Sequence, residues 1–270
     1  MFSNISACLS TFYKIYGVNY SISSACSTSS NCIIHAVELI QHGKQDIIFA
    51  GGSEEFSTEL AYGFDILKLL SRRYNHEPKK SSRPYDINRD GFVISGGAGI
   101  LVLEELQHAI SRNARIYAEI IGCGTCSDGF HITKPSGLGL KHAMSIALNN
   151  IDRNKIDYIN THGTATKIGD IIELHAIKQV FKHYNMPYIS STKSITGHSL
   201  GASGVHEIIY IILMMYNKFI MPSVNIQCLE KNISDMNILY YKNNYQINFA
   251  ISNNCGFGGV NTSIVLKKYY

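Results

Sequence analysis

The sequence contains no tryptophan, and charged residues make up only 16% of its 270 residues. It lacks any lysine- and arginine-rich run, and its formal net charge is a mild +4. A nucleic-acid-binding surface needs clustered basic residues, so we predict no nucleic-acid partner. The most apolar run, residues 208–215, is too short to cross a bilayer, and we predict no membrane insertion.

The seven cysteines are scattered along the chain, and no secretory signal pattern is present. An odd count in a chain of this size argues against a disulfide framework. Cys26, Cys32 and His35 are close in sequence but lack the spacing of a zinc site. We therefore expect a soluble, cytoplasmic protein with reduced thiols.

Small residues surround Cys26, and a helical pattern follows directly. The apolar residues of this pattern fall on one helical face, namely Ile33, Ala36, Val37 and Ile40. Cys26 is thus expected at the start of a buried helix over residues 26–42, where free amides and the helix dipole favour a thiolate near neutral pH. A cysteine taken alone is more often a structural core residue. The catalytic interpretation therefore depends on the motifs downstream.

Strand signals on both sides of that helix predict an α/β architecture. Residues 46–50 form an apolar run that ends at Gly51 and Gly52, which predicts a buried strand. A helix between two strands favours a mostly parallel sheet. Further along, residues 67–74 are predicted to be helical, and the alternating charges of residues 83–90 are interpreted as ion pairs that hold a loop, rather than as a pocket rim.

Two histidines each follow a predicted strand and stand beside a glycine. His162 opens the sequence His-Gly-Thr-Ala-Thr, and His198 closes the segment of residues 190–198. Turns at strand ends are where α/β folds usually present reactive groups. Lys193, in the second segment, needs a counter-charge in such apolar surroundings, and we predict Glu173 for that role.

A glycine-rich turn, residues 256–259, interrupts two further strand signals. Glycine lets the backbone approach a ligand closely, and an amide of this turn could face Cys26 and stabilise an oxyanion. The glycines and strand of residues 256–266 weakly repeat those of residues 91–103, as two related βα halves would.

Together these motifs resemble the β-ketoacyl-acyl-carrier-protein synthases, condensing enzymes of the thiolase fold, over residues 21–267. The likeness is closer to synthase I than to synthase II. It implies a thiolase-like α/β fold with two related βα halves, layered sheets and buried helices. Residues 1–115 would be the remainder of an N-terminal half, and residues 116–270 a C-terminal half with both histidines.

The resemblance also implies roles for the site residues. Cys26 would carry the acyl chain as a thioester, while His162 and His198 would bind the thioester carbonyl of malonyl-carrier protein and help to expel CO2. The resulting enolate would attack the acyl thioester and give a 3-oxoacyl chain. The other assignments are Lys193 and Glu173 to orient and polarise the site, the amides of Cys26 and Phe257 to hold an oxyanion, Phe257 as acyl gate, and Thr164, Thr166 and Gly256 for substrate binding.

Family members receive their substrates on the phosphopantetheine arm of acyl carrier protein. The resemblance therefore implies this partner, a homodimer with contacts near residues 46–50, and neither a metal nor a bound cofactor. Only 25 residues precede Cys26, where the family has several strands and helices. We expect unpaired sheet edges and exposed core surface as a result. Three explanations for the short N-terminal half remain open: the chain is a fragment of a longer product, the missing half comes from another chain, or the gene is decaying.

Two other functions fit parts of the pattern. A non-catalytic condensing-like subunit could pair with a full-length synthase, although such subunits usually lose the cysteine. A Cys-His hydrolase would release free acid from a thioester, but Lys193 and two glycine-flanked histidines fit it poorly. Cys255 stands where the family usually has phenylalanine, so we expect a looser acyl entrance.

Overall fold

The computed structural model describes residues 4–230 and 233–270. Its helices are α1 (Asn4–Tyr13), α2 (Thr28–Gln41), α3 (Thr58–Ile66), α4 (Leu106–Ser111), α5 (Leu138–Ala147), α6 (Gly169–Val180), α7 (Lys193–Thr196) and α8 (Ser203–Asn217). Its strands are β1 (Ile47–Glu54), β2 (Gly97–Glu104), β3 (Ala118–Ser127), β4 (Tyr158–Asn160), β5 (Tyr188–Ser190), β6 (Phe249–Gly256) and β7 (Val260–Lys268). Among the described residues, every helix is too short or too polar to cross a lipid bilayer.

The strands form two sheets. Strands β1 and β2 pair antiparallel, and the other five form a mixed sheet in the order β3-β7-β6-β4-β5. Strand β4 is parallel to both β5 and β6, whereas β7 is antiparallel to both β3 and β6. We predicted that β1 pairs in parallel with a strand before α2. This prediction is wrong, because β1 pairs antiparallel with the later strand β2.

A helix–strand–strand unit occurs twice. Helix α2 leads into β1, whose antiparallel partner is β2, and helix α8 comes before β6, whose antiparallel partner is β7. The two helices pack against each other, and each contacts strands of both sheets. They bury one shared apolar cluster that includes Ile33, Ile34, Val205, Ile208 and Ile211. Two buried helices thus separate two sheets.

Small residues let the N-terminal ends of α2 and α8 approach closely. A Cβ atom on Gly204 would lie 2.0 Å from Ser30 Oγ. Ser29 Oγ accepts a hydrogen bond from the Val205 amide at 3.0 Å, and Ser30 Oγ donates to Asn254 Oδ1 at 2.6 Å. This crossing brings the turn before α2 next to the turn before α8.

Neither β1 nor β2 pairs with another strand among the described residues, as the expectation of open edges requires. Apolar side chains remain exposed on both strands: Phe49 is 49% exposed and Val102 is 55% exposed. Helix α1 covers part of this surface, since the ring of Tyr13 stacks on Phe49 with centroids 6.3 Å apart. The expected exposure of core surface is thus confirmed at this sheet.

Two local predictions are wrong. Strand β1 does not end at Gly51 but continues to Glu54. Gly51 lies in the strand because β2 approaches it closely: a Cβ atom there would lie 2.1 Å from the Gly99 carbonyl oxygen. Residues 67–74 are not helical. Lys68 adopts a φ of 56°, and the next residues extend alongside Phe92, whose amide donates to the Leu69 carbonyl at 2.9 Å.

The charged segment of residues 83–90 does form ion pairs. Arg83 and Asp86 are both buried and lie 3.3 Å apart, and Arg89 lies 3.5 Å from Asp170 on α6. Asp90 accepts hydrogen bonds from the Arg72 and Arg73 amides. The predicted structural role is confirmed, and the segment ties the loop before β2 to the C-terminal half.

Candidate active site

The three predicted reactive side chains meet at one cavity of about 790 Å³. His198 Nε2 lies 3.2 Å from Cys26 Sγ. A ring nitrogen of His162 lies close to both atoms. The sulfur of Cys26 and one nitrogen of each histidine all lie within 4.8 Å of one another. The imidazole rings of His162 and His198 stand edge to face with centroids 5.1 Å apart. All three groups can therefore contact one reacting centre.

Cys26 lies in a 3-10 turn, Ala25–Ser27, directly before α2. Ser27 anchors that turn by donating from Oγ to the Val260 carbonyl at 2.9 Å. Ala25 takes the left-handed conformation with a φ of 50°, which turns the chain into the helix. The prediction that Cys26 stands at the start of a buried helix is correct to within one helical turn.

Burial works against the predicted thiolate form of Cys26. Burial raises the pKa of the thiol to about 11, although the Lys193 charge and the Phe257 and Cys26 amides lower it. Desolvation outweighs the helix dipole at a residue that is only 6% exposed. In its protonated form the thiol can donate to His198 Nε2, which lies 3.2 Å away.

The turn after β6 places the Phe257 amide against Cys26, as predicted. Gly258 and Gly259 in this turn have φ values of 85° and 79°, which favour glycine. A Cβ atom on Gly256 would lie 2.6 Å from the Ser24 carbonyl, so the two turns could not approach this closely with a larger residue. The arrangement supplies amide donors where an oxyanion on a Cys26 thioester would form.

His162 lies just beyond β4, and Glu173 of α6 fixes its turn. The Glu173 carboxylate accepts hydrogen bonds from the His162 and Gly163 amides, both at 2.8 Å. Burial raises the pKa of Glu173 to about 7 against the effect of these bonds and of Lys193. Glu173 therefore points into the site, but it holds backbone rather than pairing with a cation.

The counter-charge of Lys193 is Glu207 and not Glu173, so this prediction is wrong. Lys193 Nζ forms a salt bridge with Glu207 Oε1, and both side chains are buried. Asn254 Nδ2 donates to the other carboxylate oxygen at 2.7 Å. Burial raises the pKa of Glu207, and Lys193 lowers it. Glu207 was missed, although a lone acid within the apolar helix α8 was a usable signal.

Both site histidines are neutral. Burial, together with the Lys193 charge, lowers the pKa of His162 and of His198 well below the usual range. A neutral imidazole has one N–H donor and one acceptor nitrogen. His198 Nδ1 lies 2.9 Å from Ser203 Oγ, while His162 Nδ1 is buried without a hydrogen-bond partner among the described residues.

The remaining predicted substrate residues also line the cavity. Thr164 and Thr166 present hydroxyl oxygens 3.3 Å apart, and Gly256 and Phe257 form part of the wall. Cys255 lines it as well. Cationic side chains are numerous around the same cavity, namely Lys68, Arg72, Arg73, Lys134 and Lys167. Acidic side chains line the cavity as well, namely those of Asp90, Asp128, Asp170 and Glu173.

Comparison with known proteins gives a consistent result. Two family models match: "Beta-ketoacyl synthase, N-terminal domain" over residues 1–109 and "Beta-ketoacyl synthase, C-terminal domain" over residues 117–227. The chain is 60% identical over 269 residues to 3-oxoacyl-[acyl-carrier-protein] synthase 1 of Buchnera aphidicola subsp. Schizaphis graminum, and 55% identical over 270 residues to that of Haemophilus influenzae. Each alignment covers 100% of the chain but 66% of the relative. The chain thus spans about two thirds of the length of the curated relatives it matches.

A solved structure gives the same picture. The fold superimposes with a TM-score of 0.95 and 31% identity on a chain from the complex of a type II PKS acyl-carrier protein with its ketosynthase bound to the hexaketide. The match covers 100% of this chain and 67% of that one.

Proposed function

The chain belongs to the β-ketoacyl synthase family, and on that premise we propose that it performs the condensing reaction of a 3-oxoacyl-[acyl-carrier-protein] synthase in fatty-acid elongation. The thiolase-like fold predicted from the sequence is confirmed by the solved ketosynthase. The observation that carries the proposal is the shared cavity of Cys26, His162 and His198, with His198 Nε2 3.2 Å from Cys26 Sγ.

In the first half-reaction, Cys26 accepts an acyl chain from a carrier thioester. The thiol transfers its proton to His198 Nε2 as sulfur attacks the carbonyl carbon. Negative charge then develops on the carbonyl oxygen, where the Cys26 and Phe257 amides can donate. Collapse of this intermediate forms the Cys26 thioester and releases the thiol of the carrier arm.

In the second half-reaction, malonyl-carrier protein loses CO2 and becomes an enolate. The charge on its thioester oxygen is stabilised by N–H groups of His162 and His198, and removal of such a donor typically costs about 10²–10³ in rate. The enolate carbon attacks the Cys26 thioester, which forms the new carbon–carbon bond and returns Cys26 as a thiolate. The positive charge of Lys193 favours the anionic stages, and Glu207 keeps that charge tolerable in a buried site.

Substrates would arrive on the phosphopantetheine arm of acyl carrier protein. We assign Thr164, Thr166 and Gly256 to binding of the arm, and Phe257 to the gate of the acyl entrance. The cationic side chains around the cavity support this partner, since the arm carries a phosphate. Because the substrates are already activated as thioesters, the proposed reaction requires neither a metal nor a bound cofactor.

A homodimer and a cytoplasmic location are part of the same proposal. The exposed apolar side chains of β1 and β2 support a protein partner on that sheet. The alternative of a non-catalytic subunit is not favoured, because the nucleophile is present and in contact with His198. The relatives' names also describe synthases.

In the test, the protein is incubated with carrier protein loaded with an acyl group and carrier protein loaded with a malonyl group. We expect CO2 and 3-oxoacyl product in equal amounts, and no 3-oxoacyl product from the Cys26→Ala variant. Release of free fatty acid without carbon–carbon bond formation would support a thioester hydrolase instead and contradict the proposal.

A further inference from the structure

A line of hydrogen-bonding groups extends from the thiol away from the cavity. His198 Nε2 lies 3.2 Å from Cys26 Sγ, and His198 Nδ1 lies 2.9 Å from Ser203 Oγ. Ser203 Oγ lies 3.4 Å from Ser199 Oγ, which lies 3.0 Å from His206 Nδ1. Three side chains, those of His198, Ser203 and Ser199, thus connect the buried thiol with His206, a histidine that the proposed condensing reaction does not use.

The environment changes along this line. Cys26, His198, Ser199 and Ser203 are buried, whereas His206 is partly exposed. Strand β2 packs on the His206 ring with Gly97 and Gly99, neither of which brings a charge. From its own helix, the Tyr210 ring lies 6.2 Å away, centroid to centroid. His206 therefore has the access to solvent that a proton exchange requires, whereas His198 is enclosed.

The line can carry hydrogen bonds in two directions. With a Cys26 thiol, each donor points outward: S–H to His198 Nε2, Nδ1–H to Ser203, Ser203 to Ser199, and Ser199 to His206 Nδ1. With a Cys26 thiolate, each donor is reversed, and His206 Nδ1–H donates to Ser199 while His198 Nε2–H donates to sulfur. Each intermediate group gains one proton and loses one, so the net change moves one proton from Cys26 to His206.

We propose that Ser203, Ser199 and His206 form a proton relay that exchanges a proton between Cys26 and the partly exposed His206 through His198. The three are positioning residues, since they act through His198. The relay would set the His198 tautomer for each half-reaction: Nε2 accepts from the thiol during acyl transfer, and Nε2–H donates to the enolate oxygen during condensation. This inference rests on the proposed function for its purpose, but the proton exchange itself needs no substrate.

The chemistry of the cycle gives the relay a use. Condensation consumes one proton overall, because acyl thioester, malonyl thioester carboxylate and H⁺ yield 3-oxoacyl thioester, CO2 and the free carrier thiol. At the end of a cycle Cys26 leaves as a thiolate in a cavity that the carrier arm still fills. His206 would supply the proton from the far side of the site and then regain one from solvent.

The test is the rate of alkylation of Cys26 by iodoacetamide from pH 6 to 10, read by mass spectrometry of the peptide that contains Cys26. The full chain is compared with Ser203→Ala, which interrupts the line, and with His206→Gln, which can still hydrogen-bond to Ser199 but cannot take up a proton. Tyr210→Phe is the matched control, one turn further along α8. Thermal melts establish that each variant is folded.

For the parent chain we expect a plateau in rate around neutral pH, which reflects thiolate formed by transfer to His206. Ser203→Ala and His206→Gln should lose the plateau, react at least tenfold more slowly at pH 7, and rise steadily towards pH 10. Tyr210→Phe should follow the parent. If Ser203→Ala does not fold, His206→Gln decides alone.

A His206→Gln profile within twofold of the parent at every pH would overturn the relay. Because alkylation requires no carrier protein, that result would leave the condensing function untouched. Conversely, the parent chain could show the plateau in alkylation rate but catalyse no condensation. That result would contradict the proposed function and would still support the relay.

Discussion

Cys26 Sγ and His198 Nε2 are 3.2 Å apart although 172 positions separate the two residues in the chain. Cys26 precedes α2 and His198 precedes α8, so the distance is set by how closely the two helices cross. The crossing in turn depends on Gly204, which contacts Ser30 of α2. The active-site geometry is therefore a consequence of helix packing in the core.

Gly204→Ala should disturb this crossing. Its Cβ atom would overlap Ser30 Oγ and lie 2.9 Å from Asn254 Oδ1. Overpacking of this kind costs about 1–3 kcal/mol, and we expect a lower melting temperature together with slower alkylation of Cys26. Gly63→Ala in α3 is the control: its Cβ atom meets nothing within 4 Å, and the free energy of unfolding should rise by up to about 1 kcal/mol. Equal melting temperatures for the two variants would refute the packing argument.

The buried pair of Lys193 and Glu207 gives a second prediction. Removal of one partner leaves an unpaired buried charge, so Glu207→Ala should reduce the free energy of unfolding by about 3–5 kcal/mol. The double variant Lys193→Met with Glu207→Met should recover most of that loss in urea titration while remaining inactive. Lys178→Met, which breaks an exposed pair with Asp235, should cost less than about 1 kcal/mol. A double variant no more stable than Glu207→Ala would contradict the pairing.

Glu173 predicts a pH dependence of stability. Its pKa is raised from 4.5 to about 7 by burial, so the folded protein holds a proton that the unfolded chain releases in this range. The contribution is complete below about pH 4.5 and is lost as the pH rises through 7, by up to about 3 kcal/mol. Relative to Glu173→Gln, the parent should therefore lose stability between pH 5 and 7.5. The lowered pKa values of His162 and His198 make stability rise with pH, but this effect is present in both proteins and cancels in the difference. A difference that stays constant with pH would show that Glu173 is ionised throughout.

Much of the site could be predicted from the sequence. Cys26, His162 and His198 each stand in a local pattern of strand end, turn and small residues, and such patterns survive without knowledge of the fold. The ion pairs of residues 83–90 could be predicted for the same reason, since Arg83 and Asp86 are close along the chain. The position of the Phe257 amide followed from the flexibility of the glycine turn.

The misses have a common physical cause, which is that they depend on contacts between distant segments. The thiol pKa of Cys26 is governed by burial, and burial cannot be calculated from a helix start. The partner of Lys193 had to be chosen among acids without knowing which would be enclosed, and Glu173 was already engaged by backbone amides. The direction of β1 depended on where β2 returned, through a long connection whose course no periodicity reveals.

In the proposed reaction, Cys26 becomes acylated by a carrier-bound substrate. The direct measurement is mass spectrometry of the intact protein and of its peptides, after incubation with carrier protein that is loaded with an acyl group and without malonyl-carrier protein. We predict a mass increase of one acyl group on the peptide that contains Cys26, its absence in Cys26→Ala, and its disappearance when malonyl-carrier protein is added. An unmodified Cys26, under conditions where the exposed thiols of Cys8 and Cys228 show that the protein is reduced and intact, would contradict the account.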